Sequence, residues 1–209
     1  MLPWARLRYR LCMSAFSFLA DTYDTERLKI LSVWSQIPDD RMRFRAEARA
    51  RSPLEHMVHQ CMSEDGWMKA MLGIDVGLPV LPTAETRVAF ITHYAAVSAA
   101  RLDALRAMPD AWFDEPTQFF DTTRSRAWVL VRRFTHSAHH RGQLTAYMRM
   151  WGRPLFSTYG PMADTGGLPK NGATVVYRYD SVEDLLAHEG REGERALPGP
   201  GGAPPTERP

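Results

Sequence analysis

Residues 135–143 read THSAHHRGQ and lie inside the last of four long helical patterns. Residues four apart stand above one another on an α-helix, so the imidazoles of His136 and His140 can point at one place. The row that contains them is apolar at both ends, at Val129 and Trp151, and this pattern predicts that both histidines face the core. Two imidazoles arranged in this way would supply most of the ligands of a metal site. Two buried histidines that are satisfied separately by hydrogen bonds are the alternative.

Three further amphipathic patterns precede this one, each bounded by proline, glycine or capping residues. The four patterns run from Ser14 to Ile37, from Ser52 to Gly73, from Thr83 to Pro109 and from Thr123 to Trp151. The second begins with Ser52, Pro53 and Glu55, which together predict a capping box with proline in the first turn. Four amphipathic helices of about 20 to 30 residues predict an all-α four-helix bundle.

The rest of the chain has no long periodic segment. After Pro154, turn chemistry predicts a long loop with two short accessory elements, a strand at Thr174–Tyr179 and a helix at Ser181–His188. Residues 190–209 are rich in Gly, Pro and charge, which is typical of a disordered tail. Residues 1–13 are interpreted as a disordered or non-native extension, because helical apolar spacing continues through the point at which a signal peptide would be cleaved. The predicted domain is therefore 14–189.

Composition limits the partners. The chain has 209 residues, enough for one domain, and a net charge of +2 from 26 basic and 24 acidic residues, which gives nucleic-acid binding no support. No window approaches the roughly 18 consecutive apolar residues of a membrane span. The two cysteines, Cys12 and Cys61, are far apart and indicate reduced thiols. We expect a cytoplasmic protein that contacts neither nucleic acid nor membrane.

A metal site needs at least one ligand besides His136 and His140. The second helix offers His56 and His59, but both lie off the centre of its apolar face, so helical geometry does not choose between them. Asp65 lies near the middle of that face. Its carboxylate is predicted either to accept a hydrogen bond from a ligand imidazole or to pair with an arginine.

Two motifs resemble those of the DinB-like proteins. Residues 136–143, followed by Tyr147, Arg149, Gly152 and the tripeptide 159–161 (YGP), resemble their fourth-helix signature, and residues 59–67 (HQCMSEDGW) resemble their second-helix motif. The resemblance covers roughly residues 16–172. It implies an up-down-down-up four-helix bundle, commonly a homodimer, that binds a divalent metal ion through three histidines.

Carried over residue by residue, the resemblance assigns the metal ligands to His59, His136 and His140 and leaves His56 and His139 over. Three neutral imidazoles leave coordination positions for water or substrate, and this ligand type suits Zn, Ni or Fe. The wider superfamily includes bacillithiol S-transferases and mycothiol-dependent maleylpyruvate isomerases.

The resemblance thus implies a metal-dependent thiol transferase or hydrolase that acts on a small molecule, with a low-molecular-weight thiol as one candidate substrate. Arg141, as a holder of an anionic group, and Tyr159, at the mouth of the pocket, are the candidate catalytic residues. The alternative is a non-catalytic metal-binding protein of a stress response.

Overall fold

The structure is a computed structural model that describes residues 14–189 and 195–200. Residues 1–13 lie outside it, and so do 190–194 and 201–209 of the predicted tail. The helices are α1 (Ser17–Ser35), α2 (Pro53–Ala70), α3 (Arg87–Arg106), α4 (Asp110–Asp114), α5 (Arg126–Met150) and α6 (Val182–His188). Strands β1 (Pro116–Phe119) and β2 (Thr122–Ser125) form a hairpin, and two short 3-10 helices occupy Asp39–Arg41 and Pro169–Asn171.

Side-chain caps set the starts of α2, α3 and α5. The hydroxyl of Ser52 accepts from the backbone N–H of Glu55, whose carboxylate accepts from the N–H of Ser52, and this is the predicted capping box. Thr86 and Ser125 cap α3 and α5 through their hydroxyls. Beyond the end of α5, Gly152 has φ 68°, a left-handed conformation that favours glycine.

Contacts between the long helices set their directions. The contacts that decide them are Tyr23 with Glu64, Trp34 with Phe90, and the ring pairs His56–His140 and His59–His136. The end of α1 meets the start of α3, and the first half of α1 meets the second half of α2, so α2 and α3 both run antiparallel to α1. Helix α5 is antiparallel to α2. The predicted all-α, up-down-down-up four-helix bundle is confirmed.

A buried polar layer divides the core into two apolar clusters. One cluster surrounds Trp34 and Tyr94, and the other surrounds Leu19 and Leu130. Along each long helix, buried polar residues lie between the two, and they include Arg27, Glu64, Ser98, Arg101, Ser137 and His140. Polar groups are buried at low free-energy cost only when they find partners, so this layer aligns the four helices.

The connection between α3 and α5 contains two elements that the sequence did not predict. These are the one-turn helix α4 and the β1–β2 hairpin, in which Phe119 pairs with Thr122 across a two-residue turn. The turn residues are Phe120 and Asp121, and neither is the glycine or asparagine that marks such turns in a sequence. This explains why the hairpin was missed.

The segment after α5 is a long loop, as predicted, and α6 starts at the predicted place with Ser181 as its cap. The predicted strand at Thr174–Tyr179 is wrong, because this extended segment forms no strand ladder. In the described part of the predicted tail, Gly199 forms a β-bridge with Thr165. No helix in the described part of the chain has the length and apolarity to cross a membrane.

Candidate metal centre

Three imidazoles from α2 and α5 converge on one point. The Nε2 atom of His136 lies 3.4 Å from Nε2 of His59 and 3.2 Å from Nε2 of His140. The ligand atoms of all three residues lie within 4.8 Å of one another. A tetrahedral Zn²⁺ ion with Zn–N distances of about 2.0–2.1 Å separates its ligand nitrogens by about 3.3 Å. The structure therefore brings together the three predicted histidines, in a group that could hold a metal ion.

His140 forms the hydrogen bond that is expected of a histidine that binds a metal ion. Its Nδ1 lies 2.9 Å from Oε1 of Gln143, and because an amide oxygen only accepts, Nδ1 carries the proton. The lone pair of Nε2 is then free to face the other two imidazoles. A protein acceptor that sets a ligand's tautomer in this way is the usual support of a metal-bound histidine.

His136 has a different neighbour. Its Nδ1 lies 3.2 Å from Nη1 of Arg133, a group that can only donate, so this contact requires the tautomer with the proton on Nε2. With a metal ion at Nε2, the proton of the neutral imidazole would have to lie on Nδ1, where it would face the N–H of Arg133, a second donor. Nη1 of Arg133 also donates to Oγ of Ser63 at 2.9 Å, so the guanidinium keeps an acceptor when the contact with His136 opens.

The surroundings keep the cluster neutral. Burial, followed by the charge of Arg133, lowers the pKa of His136 to about 3. Burial also lowers the pKa of His140 to about 4, although its hydrogen bond with Gln143 acts in the opposite direction. The pKa of His59 is lowered by burial and then by the charge of Arg51. All three imidazoles are uncharged at neutral pH, which is the state that binds a metal.

The two spare histidines lie beside the group and outside it. His56 is buried, and its ring packs against that of His140 with centroids 5.3 Å apart. His139 is exposed, and its ring centroid lies 5.0 Å from that of His140. Asp65 accepts from Nη2 of Arg101 at 2.8 Å, so it is the arginine-paired carboxylate that was one of the two predictions for it.

Arg141 and Tyr159 lie together on the side of α5 that faces α1. Arg141 is buried and donates to Oε2 of Glu26 at 2.7 Å and to the hydroxyl of Tyr159. Neither residue lines the cavity that opens beside His59 and His136. Their catalytic role stays a prediction, and the contacts of Arg141 are those of a structural ion pair.

Sequence reasoning missed the buried carboxylate behind the histidines. Glu64 is 1% exposed and accepts from the hydroxyls of Tyr23 at 2.6 Å and Tyr94 at 2.8 Å. It also pairs with Arg101 at 3.3 Å and with Arg133 at 3.2 Å. Burial raises the pKa of Glu64, but the two arginines and two hydroxyls outweigh it, and the pKa is lowered. The signal in the sequence that could have revealed this carboxylate is Arg133. It lies in a largely apolar row of the α5 sequence, and a buried arginine implies a buried anion to pair with it.

Two cavities flank the cluster. One, of about 590 Å³, has His59 and His136 in its wall, together with Trp67, Phe120 and Arg132. Trp67 stacks on His136, with ring centroids 5.5 Å apart and planes 29° apart. The other, of about 580 Å³, is lined by residues that include Arg49, Arg51, His56 and Gln143. The cluster is thus open to small molecules rather than enclosed.

Comparison with known proteins gives the family and the fold. The DinB family model matches residues 13–167. A solved DinB-like protein from Bacillus cereus is 17% identical, with a TM-score of 0.61 over 68% of this chain and 97% of that chain. Another, from Bacillus subtilis, is 13% identical, with a TM-score of 0.53 over 67% and 96%. No curated protein matches the chain. At these identities the likeness to solved structures concerns the fold alone.

Proposed function

The chain belongs to the DinB family, and we propose that His59, His136 and His140 bind a divalent metal ion in an enzyme that transfers a low-molecular-weight thiol or hydrolyses a small molecule. The observation that carries this proposal is the convergence of three Nε2 atoms beside an open cavity. A structural metal site is closed by four protein ligands, whereas a catalytic one keeps a position free. Zn, Ni and Fe all suit three imidazoles.

The chemistry follows from charge. His59, His136 and His140 are neutral ligands, so a divalent ion held by them would keep its full charge and would supply Lewis acidity that lowers the pKa of a water molecule or thiol. The chain adds to this positive field, because the charge of Arg51 lowers the pKa of both His59 and His140 after burial has done so. No carboxylate pairs with Arg51 among the residues that the structure describes. An anionic nucleophile or substrate is therefore favoured at this site.

The ligand proposal is tested by metal content. The variant with His59, His136 and His140 all changed to alanine is expected to bind no Zn²⁺ after loading and dialysis, whereas the unchanged protein retains about one ion per chain. His139→Ala is the control, since His139 touches the ring of His140 from outside the group. Circular dichroism checks that each variant is folded. Retention of zinc by the triple variant, or its loss from His139→Ala, would show that the ligand set is wrong.

The enzymatic proposal is tested on metal-loaded protein. We expect turnover with a small thiol and an electrophile, or with an ester or amide, that His140→Ala abolishes. In cobalt-substituted protein, an added thiol is expected to change the visible spectrum by entering the open coordination position. Neither turnover nor spectral change across such panels would favour the alternative, a non-catalytic metal-binding protein of a stress response.

Assembly and location complete the proposal. We propose a homodimer, on the resemblance described above, and a cytoplasmic location, on the pair of widely separated cysteines. Cys61 is buried and free, and burial raises the pKa of its thiol to about 12. Sedimentation of the purified protein tests the dimer. A monomer at micromolar concentration would contradict it.

A further inference from the structure

The tip of the β1–β2 hairpin holds a phenylalanine in an unfavourable backbone conformation. Phe120 is the first residue of the two-residue turn, and its φ is 50°. Within residues 14–189 and 195–200 it is the one residue other than glycine with a positive φ. Turns that need a positive φ at this place normally carry glycine, because a Cβ atom there meets the backbone.

Packing of the Phe120 ring does little to compensate for this unfavourable backbone conformation. Phe120 is 68% exposed, the highest exposure among the large apolar residues of the described chain. The hairpin beneath it is firmly held, since the hydroxyl of Thr117 donates to the carbonyl of Met71 and the ring of Phe119 packs on Trp67 and Trp128. An exposed aromatic ring on a strained residue of a well-anchored turn points to a functional role.

This ring extends an aromatic wall that begins at a proposed metal ligand. Trp67 stacks on His136, Phe119 meets Trp67 edge to face at 5.3 Å, and Phe120 meets Trp67 at 6.1 Å. All three aromatic side chains line the cavity of about 590 Å³, a size typical of small-molecule sites. The wall is therefore apolar from the hairpin tip to the imidazole.

The same cavity carries one cation without an anionic partner. Arg132 lines it, donates only a long hydrogen bond of 3.4 Å to the hydroxyl of Thr135, and lies 5.8 Å from the ring of Trp128. No carboxylate of the described residues forms an ion pair with it. The cavity thus combines flat apolar surface with a single available positive charge.

We propose that this cavity binds a substrate with a flat, apolar or aromatic group and an anionic substituent, such as an aromatic carboxylate. The flat group lies against Trp67 and Phe120, and the anion pairs with Arg132. This inference rests on the proposed function, since it places the substrate beside the metal ligand His136. It does not need the metal for binding.

The test measures binding of 2-naphthoate to chelator-treated protein by calorimetry, with acetate and 2-naphthalenemethanol as partial probes. We expect Phe120→Gly to weaken naphthoate binding at least fivefold, while its thermal unfolding midpoint stays the same or rises. Phe18→Ala is the control, because Phe18 is 56% exposed on α1 and lies outside the cavity. Arg132→Gln is expected to weaken the binding of naphthoate but not of the neutral alcohol.

If Phe120→Gly and the unchanged protein bound 2-naphthoate with equal affinity, the proposal would be overturned. A change in oligomeric mass on light scattering for Phe120→Gly would also overturn it, because the exposed ring would then belong to a contact between two copies. The variant that lacks the three histidines separates this proposal from the metal one. If it binds naphthoate and the unchanged protein retains no zinc, only the metal proposal fails.

Discussion

Glu64→Gln should strongly destabilise the protein with almost no change in side-chain shape. The carboxylate is buried and forms ion pairs with Arg101 and Arg133, and it accepts from the hydroxyls of Tyr23 and Tyr94. Glutamine keeps one acceptor oxygen, places an NH₂ group against donors and removes the charge. Loss of one partner of a buried ion pair costs about 3–5 kcal/mol. That is a large share of the roughly 5–15 kcal/mol by which a domain is stable.

The measurement is urea unfolding at pH 7, followed by circular dichroism at a helical wavelength. Asp65→Asn is the matched control on the same helix, because Asp65 also pairs with Arg101 but is more exposed, and Arg101 keeps Glu64 in that variant. We expect a smaller loss of about 1.5 kcal/mol for Asp65→Asn, because Arg101 keeps its ion pair with Glu64 and the asparagine oxygen can still accept from Arg101. If Glu64→Gln cost no more free energy of unfolding than Asp65→Asn, the view that this carboxylate aligns the helices would be refuted.

Three further outcomes are expected. Burial, followed by the charge of His140, lowers the pKa of His56 to about 4. As pH falls from about 6.5 towards 4, the unfolded chain gains a proton at His56 that the folded chain does not bind, so His56 should account for about 1–2 kcal/mol of the fall in the free energy of unfolding at pH 5. His59, His136 and His140 also have lowered pKa values and add to that fall, so His56→Gln should make it smaller by the share of His56 in urea unfolding. Gln143→Leu should weaken zinc binding about 10- to 100-fold in a chelator competition, since His140 loses the acceptor for its Nδ1 proton. Arg141→Met should lower the free energy of unfolding by about 2 kcal/mol, because Glu26 loses a charged hydrogen-bond partner and keeps only Lys29 and the hydroxyl of Tyr159, and it should leave zinc affinity unchanged. An unchanged stability with lost substrate binding would instead support the predicted catalytic role of Arg141.

Helix positions were predictable because their signals are local. The capping box at Ser52 and the glycine at position 152 act within one turn of the helix they bound, and the structure has both. The hairpin was missed for the same reason. Phe120 has a positive φ, which is unfavourable for a residue with a Cβ atom, so no local sequence pattern predicts a turn at this position.

The metal centre was predictable in part. His136 and His140 share a face through the geometry of a single helix, whereas the choice of His59 over His56 came from resemblance and not from helical angle. In the structure, His56 and His59 both contact the ring of His140. Only the rotation of α2 against α5 directs the Nε2 atom of His59, and not that of His56, into the group.

The amino-acid sequence alone determined four amphipathic helices, their caps and a pair of histidines on one inward face, because each of these depends on residues within a turn of one another. Only the tertiary structure decided what surrounds that pair. Glu64 meets Arg133 across 69 positions, and Arg141 meets Glu26 across 115. Such partners follow from the directions and rotations at which whole helices pack, and these depend on the summed burial of both core clusters.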